Sequence, residues 1–432
     1  MRRKSKKPVR KQTHSPTGEG VVGRIGQILL PMIAGIAATK ADLTEWVYEQ
    51  GLTVLHELLS KDVEEIVGPK GKHEKERRHN HWGSTDGELS FGGGRIQVSR
   101  PRVRSKSGKE ASLPHFEAFR AEDPLPERVL NQILVGVSTR NYESSLDKPS
   151  AKLKSRGTSK SAASRHLVSQ TTKKLEEYLS RGLEEFELAA LMMDGLEVAG
   201  QTVVVTLGIT IDGTKVPMGI WLGSTENSRV CIAMLQDLLE RGLRVDESIL
   251  CVVDGGKGLR KALVDVLGDL AVIQRCQLHK LRNLRSYLPK SRHAYVLQTM
   301  KEAYKCKSAD KARKKLRALL SWLERNGYDE AAGSLREGME ETLTVLKLAL
   351  PELLRKSLAT TNAIENLNGT IRRVSRNVKR WKSPSMIRRW TALGVVTAEK
   401  KFRQIKGYRH MGALVHALRS KQKSLDSDAF AA

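Results

Sequence analysis

Three acidic residues stand where carboxylates could act together on one substrate. Asp194 closes the apolar run ELAALMMD, and Asp254 closes SILCVVD. A carboxylate at the tip of a buried central strand lies where α/β sheets bind their ligands. Glu365 falls early in TTNAIENLNGTIRRVSRNVKR, residues 360–380, where Ile364, Leu367, Ile371, Val374 and Val378 recur at helical period. The intervals are 60 residues (254 − 194) and 111 residues (365 − 254). If that helix packs back on the sheet, the three carboxylates repel one another unless divalent cations lie between them. Two Mg²⁺ ions about 4 Å apart, or Mn²⁺ in their place, would clamp the attacking and leaving oxygens of a phosphodiester. A plainer role is compatible with this one, with Asn362 as the N-cap and Glu365 as the acid of a capping box. Asn368, Arg372, Arg376 and Lys379 follow on the side of Glu365. Arg372, Arg373, Arg376 and Arg380 supply cations for phosphates that an acidic site alone would repel.

The background to these acids is strongly basic. The 432 residues carry a formal charge of +27, which favours a polyanionic partner through counterion release. Aromatic residues make up only 5%, which suits a binder of duplex backbone better than one that stacks single-stranded bases. Against that background, residues 187–255 hold ten Asp or Glu and four Lys or Arg. A pure DNA binder gains nothing from such an acidic island. The four cysteines, Cys231, Cys251, Cys276 and Cys306, form no disulfide framework and suit a reducing cytoplasm. No apolar run approaches the roughly 20 residues of a membrane helix, so the reading is a soluble intracellular protein with no membrane partner.

The elements that must position the acids follow in chain order. Residues 1–20, with seven Lys or Arg, read as a disordered basic arm. Residues 21–123 read as a helical segment from Ile25 to about Val67, with Leu43, Trp46, Val47, Leu52, Leu55, Leu58 and Leu59 as packing positions, and then a small glycine-rich β piece. In that piece His79 and His81 lack a cysteine to complete a zinc pattern, and Arg95, Arg100, Arg102 and Arg104 are expected to touch phosphate or solvent. Residues 124–181 read as a helix-turn-helix-like DNA-binding region, with helices over 125–135 and from Asn141 to Leu146. Its recognition helix would be capped by Ser159 and present Lys160, Ser161, Ser164 and Arg165 to the major groove. Residues 186–280 alternate strands and helices after an initial hairpin at a type I′ Asp212-Gly213 turn, which predicts a mixed α/β sheet. Residues 281–357 form an all-α block, residues 358–420 return to the core with basic helices, and 421–432 read as a disordered tail.

These motifs resemble the mutator-type D-D-E transposases of bacterial insertion sequences. The resemblance is carried by MMDGL at Asp194, VVDGGKGL at Asp254, QRCQLHKLRN at Cys276 and His279, and TTNAIENLNGTIRR at Glu365, in that order. HWGSTDGEL and GTSKSAASR extend it over nearly the whole chain. It implies a ribonuclease H-like catalytic core interrupted by an all-α insertion between Asp254 and Glu365. It also implies Mg²⁺-dependent DNA cleavage at element ends followed by strand transfer, with Asp194, Asp254 and Glu365 as catalytic metal-binding acids. Double-stranded DNA, both transposon ends and target, would be the partner. Pairing two ends implies at least a dimer, at work on the nucleoid in a bacterial cytoplasm.

Cys276 and His279 make only half of a tetrahedral zinc site and read as accessory residues with a structural or DNA-positioning role, as does Asn368. His279 alone could orient a phosphate or a nucleophilic water. Two rival classes stand beside the transposase: a related metal-dependent nuclease that cuts without joining, and a non-catalytic DNA-binding protein.

Overall fold

The computed structural model describes residues 40–69, 77–91, 94–121, 130–131, 155–156, 160–223 and 228–430, and the chain divides into two compact units. The first comprises residues 1–133 with 137–164, the second residues 134–136 with 165–432. The basic arm, the start of the first helix, nearly all of the helices expected over 125–135 and 141–146, and Ser159 lie outside the described residues.

In the first unit, helix α1 (Lys40–Val67) lays Leu55, Leu59, Val63 and Val67 on the antiparallel hairpin of β1 (His79–Phe91) and β2 (Gly94–Ser105). Leu113 and Phe116, at the start of α2 (Pro114–Ala121), close this core. Val47, read from the sequence as a packing position, is instead exposed. β3 (Ser155–Arg156) pairs with β2. Two of the arginines expected to face phosphate or solvent are already engaged: Arg100 and Arg102 both reach Glu110, at 3.2 and 2.9 Å. Arg104 lies over the Trp82 ring, 5.1 Å from its centre.

Helix α3 (Lys160–Leu179) leads to β4 (Leu188–Val198), β5 (Gln201–Thr210) and β6 (Lys215–Gly223), which form an antiparallel meander. β7 (Ile249–Val253) and β8 (Ala271–Arg275) join parallel to β4, giving the order β6-β5-β4-β7-β8. Alternation along each strand sends successive side chains to opposite faces. Leu191, Met193 and Val204 pack with α4 (Ser228–Glu240) and α5 (Lys257–Leu267) on one face. Met192, Val205 and Val252 pack with the C-terminal helices on the other.

Two turns differ from the sequence reading. The β5–β6 loop is not type I′, because Gly213 has φ +85° while Asp212 does not enter the left-handed region. It is a turn closed by Gly213 N–H on the Thr210 carbonyl, with glycine at the bulge position. The type I′ geometry belongs instead to Ala199-Gly200 between β4 and β5, at φ 54° and 76°. Alanine is a poor residue for that turn, so β4 runs four residues beyond Asp194 without a sequence signal.

Between β8 and the last core helices lies the helical block: α6 (Gln277–Ser286), α7 (Lys290–Tyr304), α8 (Ala309–Arg325), α9 (Asp329–Arg336), α10 (Thr344–Lys347) and α11 (Glu352–Leu358). It has its own core, with Leu284, Met300, Leu316, Leu323 and Leu335 fully buried. Its last segment covers the β8 edge through side chains that replace a strand. The Gln274 amide donates to the Thr342 carbonyl and accepts from Val345 N–H, while Thr344 Oγ1 donates to the Ile273 carbonyl. An edge sealed this way offers no template for strand pairing.

Helices α12 (Asn362–Ser375), α13 (Pro384–Glu399) and α14 (Met411–Phe430) complete the unit. α12 stops at Ser375, so Val378, Lys379 and Arg380 lie beyond the helix drawn from periodicity. Where a disordered tail is expected, α14 continues to Phe430, and the Gln422 side chain accepts from Ser248 N–H at 2.9 Å. α13 crosses α12 at Gly394, where a Cβ would stand 2.7 Å from the Ile371 Cα. Overpacking of a dry helix crossing costs about 1–3 kcal/mol. Gly394→Val should therefore lower the unfolding free energy by that amount, read as a lower urea midpoint with an unchanged m-value.

Candidate active site

Asp194 and Asp254 are brought to one end of the sheet by the parallel pairing of β4 and β7, whose last paired residues are Met193 and Val253. Each aspartate is the next residue. Asp254 lies past the end of β7, as expected from its apolar run. Asp194 is not at a strand tip: β4 continues, paired now only with β5, Asp194 standing opposite Val205. The site is thus a fork where β7 ends and β4 goes on.

α12 packs across this fork on its apolar stripe of Ile364, Leu367 and Ile371, all essentially buried. That stripe fixes the rotation of the helix, and the neighbouring side carries Glu365 and Asn368 toward the acids. The Asn368 amide donates to Asp194 Oδ2 at 2.7 Å. Its Oδ1 is buried without a hydrogen-bond partner among the described residues. Burial pushes the Asp194 carboxyl up to about 6, and the charges of Asp254 and Glu365 push in the same direction. His279 and the Asn368 hydrogen bond oppose them. One carboxyl therefore registers all three acids.

The start of α12 is built differently from the sequence reading. The N-cap is Thr361, not Asn362, and no side-chain capping bond forms, so Glu365 completes no capping box. The Thr361 hydroxyl is used elsewhere. It lies 3.4 Å from Cys276 Sγ and 3.3 Å from His279 Nδ1, and the Thr361 N–H also points to the sulfur. Cys276 is itself the N-cap of α6, accepting from His279 N–H. Burial pushes its thiol up, but hydrogen bonds from His279 and Thr361 outweigh this and hold it below its usual value. His279 is raised, chiefly by its hydrogen bond with Cys276 and then by the nearby carboxylates. One sulfur joins the first turns of two helices.

Glu365 is held by two groups from α6, His279 Nε2 at 3.4 Å and Arg282 Nη1 at 3.2 Å. Asp254 accepts the N–H of Gly256 in its own loop at 2.8 Å. With the side chains so engaged, no group of three His, Cys, Asp or Glu among the described residues is arranged to hold a metal ion. The donor set nonetheless suits a hard divalent cation: three carboxylates, of which Asp254 and Glu365 both raise Asp194, and the unpaired amide oxygen of Asn368.

Four functional neighbours escape a reading of the sequence. Thr361 and Arg282 are the cap and clamp just described; the i, i+3 spacing of His279 and Arg282 on one helix was the available signal for the second. Arg275, nearly buried, donates to the Gly255 carbonyl behind Asp254 at 2.9 Å and to the Glu337 carbonyl at 3.3 Å. Lys280, buried at the start of the helical block, donates to the carbonyls of Ser334 and Glu337, and burial lowers it to about 8. Two cations thus satisfy the open carbonyls at the end of α9, where positive charge is favoured.

Of the residues expected to meet DNA, Lys160, Ser161, Ser164 and Arg165 lie on the first turns of α3, all four exposed. Arg372, Arg373, Arg376 and Arg380 lie in or just beyond α12, and no described acid pairs with any of them. No helix among the described residues is long and apolar enough to cross a membrane.

The chain that carries this fold and the acids at its fork belongs to the transposases of the Mutator family, whose model matches residues 33–404. Among its relatives is the transposase for insertion sequence element ISRM5 of Rhizobium meliloti, 31% identical, with 80% of this chain and 86% of the relative covered. Others are the transposase for IS905 of Lactococcus lactis, 27% identical over 78% and 84%, and that for IS256 in transposon Tn4001 of Staphylococcus aureus, 28% identical over 74% and 82%.

Proposed function

We propose that this transposase binds the ends of an insertion sequence, cleaves there and joins the freed 3′-hydroxyls to target DNA, with Asp194, Asp254 and Glu365 as its catalytic acids. The observation that carries the reading is the convergence of the three at one sheet fork, where Asp194 and Asp254 follow the paired Met193 and Val253 and α12, the helix of Glu365, bonds Asp194 through Asn368. The sheet order, antiparallel for β6-β5-β4 and parallel for β4-β7-β8, supports a ribonuclease H-like core, with residues 281–357 as its helical insertion.

Divalent cations, Mg²⁺ or Mn²⁺, would be held by the three carboxylates and supply Lewis-acid stabilisation of the charge that develops on the phosphodiester oxygens. The protein does the rest. Asn368 orients Asp194 by its 2.7 Å bond. Asp254 is steadied by Gly256 N–H, and the loop behind it by Arg275. Arg282 and His279, which hold Glu365 here, would be placed to meet the scissile phosphate beside it. The arginines of α12 extend that positive surface along the DNA. In the first step water adds to phosphorus and the 3′ oxygen leaves as a hydroxyl. In the second, that hydroxyl attacks a target phosphodiester and releases a target 3′-hydroxyl. The second step exchanges one phosphodiester for another, so no nucleotide hydrolysis is required, and the sequence has no phosphate-cradling G-x-x-x-x-G-K-[ST] loop.

The test is incubation of the purified protein with its element's terminal duplex and a supercoiled target, with Mg²⁺ or with EDTA. Mg²⁺-dependent 3′ nicking and joined product are expected. Cleavage with no joining would make it a nuclease, and end binding indifferent to all three acids would make it a non-catalytic binder.

Cys276 and His279 act here as positioning residues for Glu365. Cys276→Ala should lower kcat for cleavage about tenfold, in the range of lost supporting hydrogen bonds at such sites, with KM for DNA unchanged. Cys276→Ser, which keeps an acceptor for Thr361 and His279, should recover most of it. A KM effect in place of the kcat effect would rule the positioning role out.

A further inference from the structure

A cavity of about 570 Å³ lies in the helical block behind the segment that leads into α12. Its chemistry is divided. Lys301, Lys305, Lys307, Arg355 and Lys356 line it together with a single acid, Glu352. Lys356 is paired with Glu352, and Arg355 donates to the Cys306 carbonyl. Lys301, Lys305 and Lys307 are exposed and pair with no described acid. The remaining wall is apolar, formed by Leu278, Leu281 and Tyr304. Thr360 also borders the cavity.

Cations at the rim and an apolar wall match a nucleotide better than a bare anion. A phosphate needs only the cations, whereas a sugar and base need the apolar surface as well. The size lies within the usual range of small-ligand pockets, about 300–1,000 Å³. Its position matters too. Ala359 and Thr360 wall the cavity, the Ala359 carbonyl accepts from Gln277 N–H, and the next residue, Thr361, is the one bound to Cys276 and His279. Cavity and acidic fork are thus two sides of one short segment.

We infer that this cavity is an accessory nucleoside-phosphate site, which takes a nucleotide unit of the DNA strand outside the acidic fork. Its assignment to DNA rests on the function proposed above; the chemistry of the cavity does not.

The test uses the full-length protein carrying Glu365→Gln, in EDTA, so that binding is read without cleavage. Probes are a labelled element-end duplex with a single-stranded tail, and dAMP as a free nucleotide. Lys301→Glu with Lys305→Glu should weaken duplex binding about tenfold or more near 0.1 M salt and reduce the slope of log K against log salt by about 2. Lys311→Glu with Lys314→Glu, the same charge change on α8, should cost clearly less. Loss of dAMP binding in the cavity variant with duplex binding unchanged would keep the site and assign it to a free nucleotide. Equal losses from both charge reversals, or no loss of either probe, would overturn it. Both readouts are of binding alone, so a protein that fails to join strands would leave the test of the cavity intact.

Discussion

Glu365→Gln is expected to abolish cleavage and strand joining, by ~10³-fold or more, while binding to element ends stays within about twofold. Losses of that size attend the removal of a group that acts only as charge develops. Gln has the shape of Glu, can still accept from Arg282, and leaves the buried stripe of α12 untouched. Only the charge is lost. The same outcome is expected for Asp194→Asn and Asp254→Asn, and pairs of these variants should be no worse than single ones, because residues that act as a unit are not additive. Gel-resolved cleavage and joining, with a parallel binding measurement, decide the matter. Strand transfer retained by the Gln variant would remove Glu365 from the catalytic set.

The second large effect is on stability, measured without metal. Asp194 has a folded-state carboxyl near 6 against an ordinary 3.8, raised by burial and then by Asp254 and Glu365, with His279 and Asn368 opposing. Between those values the folded protein binds the proton and the unfolded chain does not. Stability therefore falls as pH rises from about 4 to about 6, and it is regained on acidification. At about 1.4 kcal/mol per unit the upper bound is about 3 kcal/mol. Other groups titrate in the same window, so the readout is the difference between wild type and Asp194→Asn in EDTA. The variant should be more stable than wild type above pH 6 and converge with it near pH 4. Parallel curves would mean that the carboxyl is not perturbed. Mg²⁺ should close the gap above pH 6 by stabilising the wild type alone.

Much of the sheet could be read from the chain, because its strands are uninterrupted apolar runs ended by aspartates. Asp254 is placed as its run predicts. Asp194 misleads in a particular way, since the apolar pattern pauses at Asp194-Gly195 while the strand continues to an Ala-Gly turn of low intrinsic preference. The cap of α12 escapes for a related reason. Asn362 has the better local chemistry, but Thr361 makes its contacts 85 and 82 residues away, with Cys276 and His279. Pairings across that distance leave no periodic trace. Arg275 and Lys280 look from the sequence like ordinary surface cations, and only the fold reveals that they are buried against carbonyls of α9 and its C-terminal cap. The apolar stripe of α12 is legible in full over the helix, and with it the side that turns Glu365 toward the fork.

Those carbonyl contacts also determine how the helical block is mechanically attached. Arg275 grips the Gly255 carbonyl with one nitrogen and the Glu337 carbonyl with another. A load applied to the block therefore reaches the loop of Asp254 through that guanidinium. Lys280 carries no such load to the acid, since both of its contacts lie within the block. The block thus reaches the acids at two points, Arg275 behind Asp254 and the α6 pair His279 and Arg282 on Glu365.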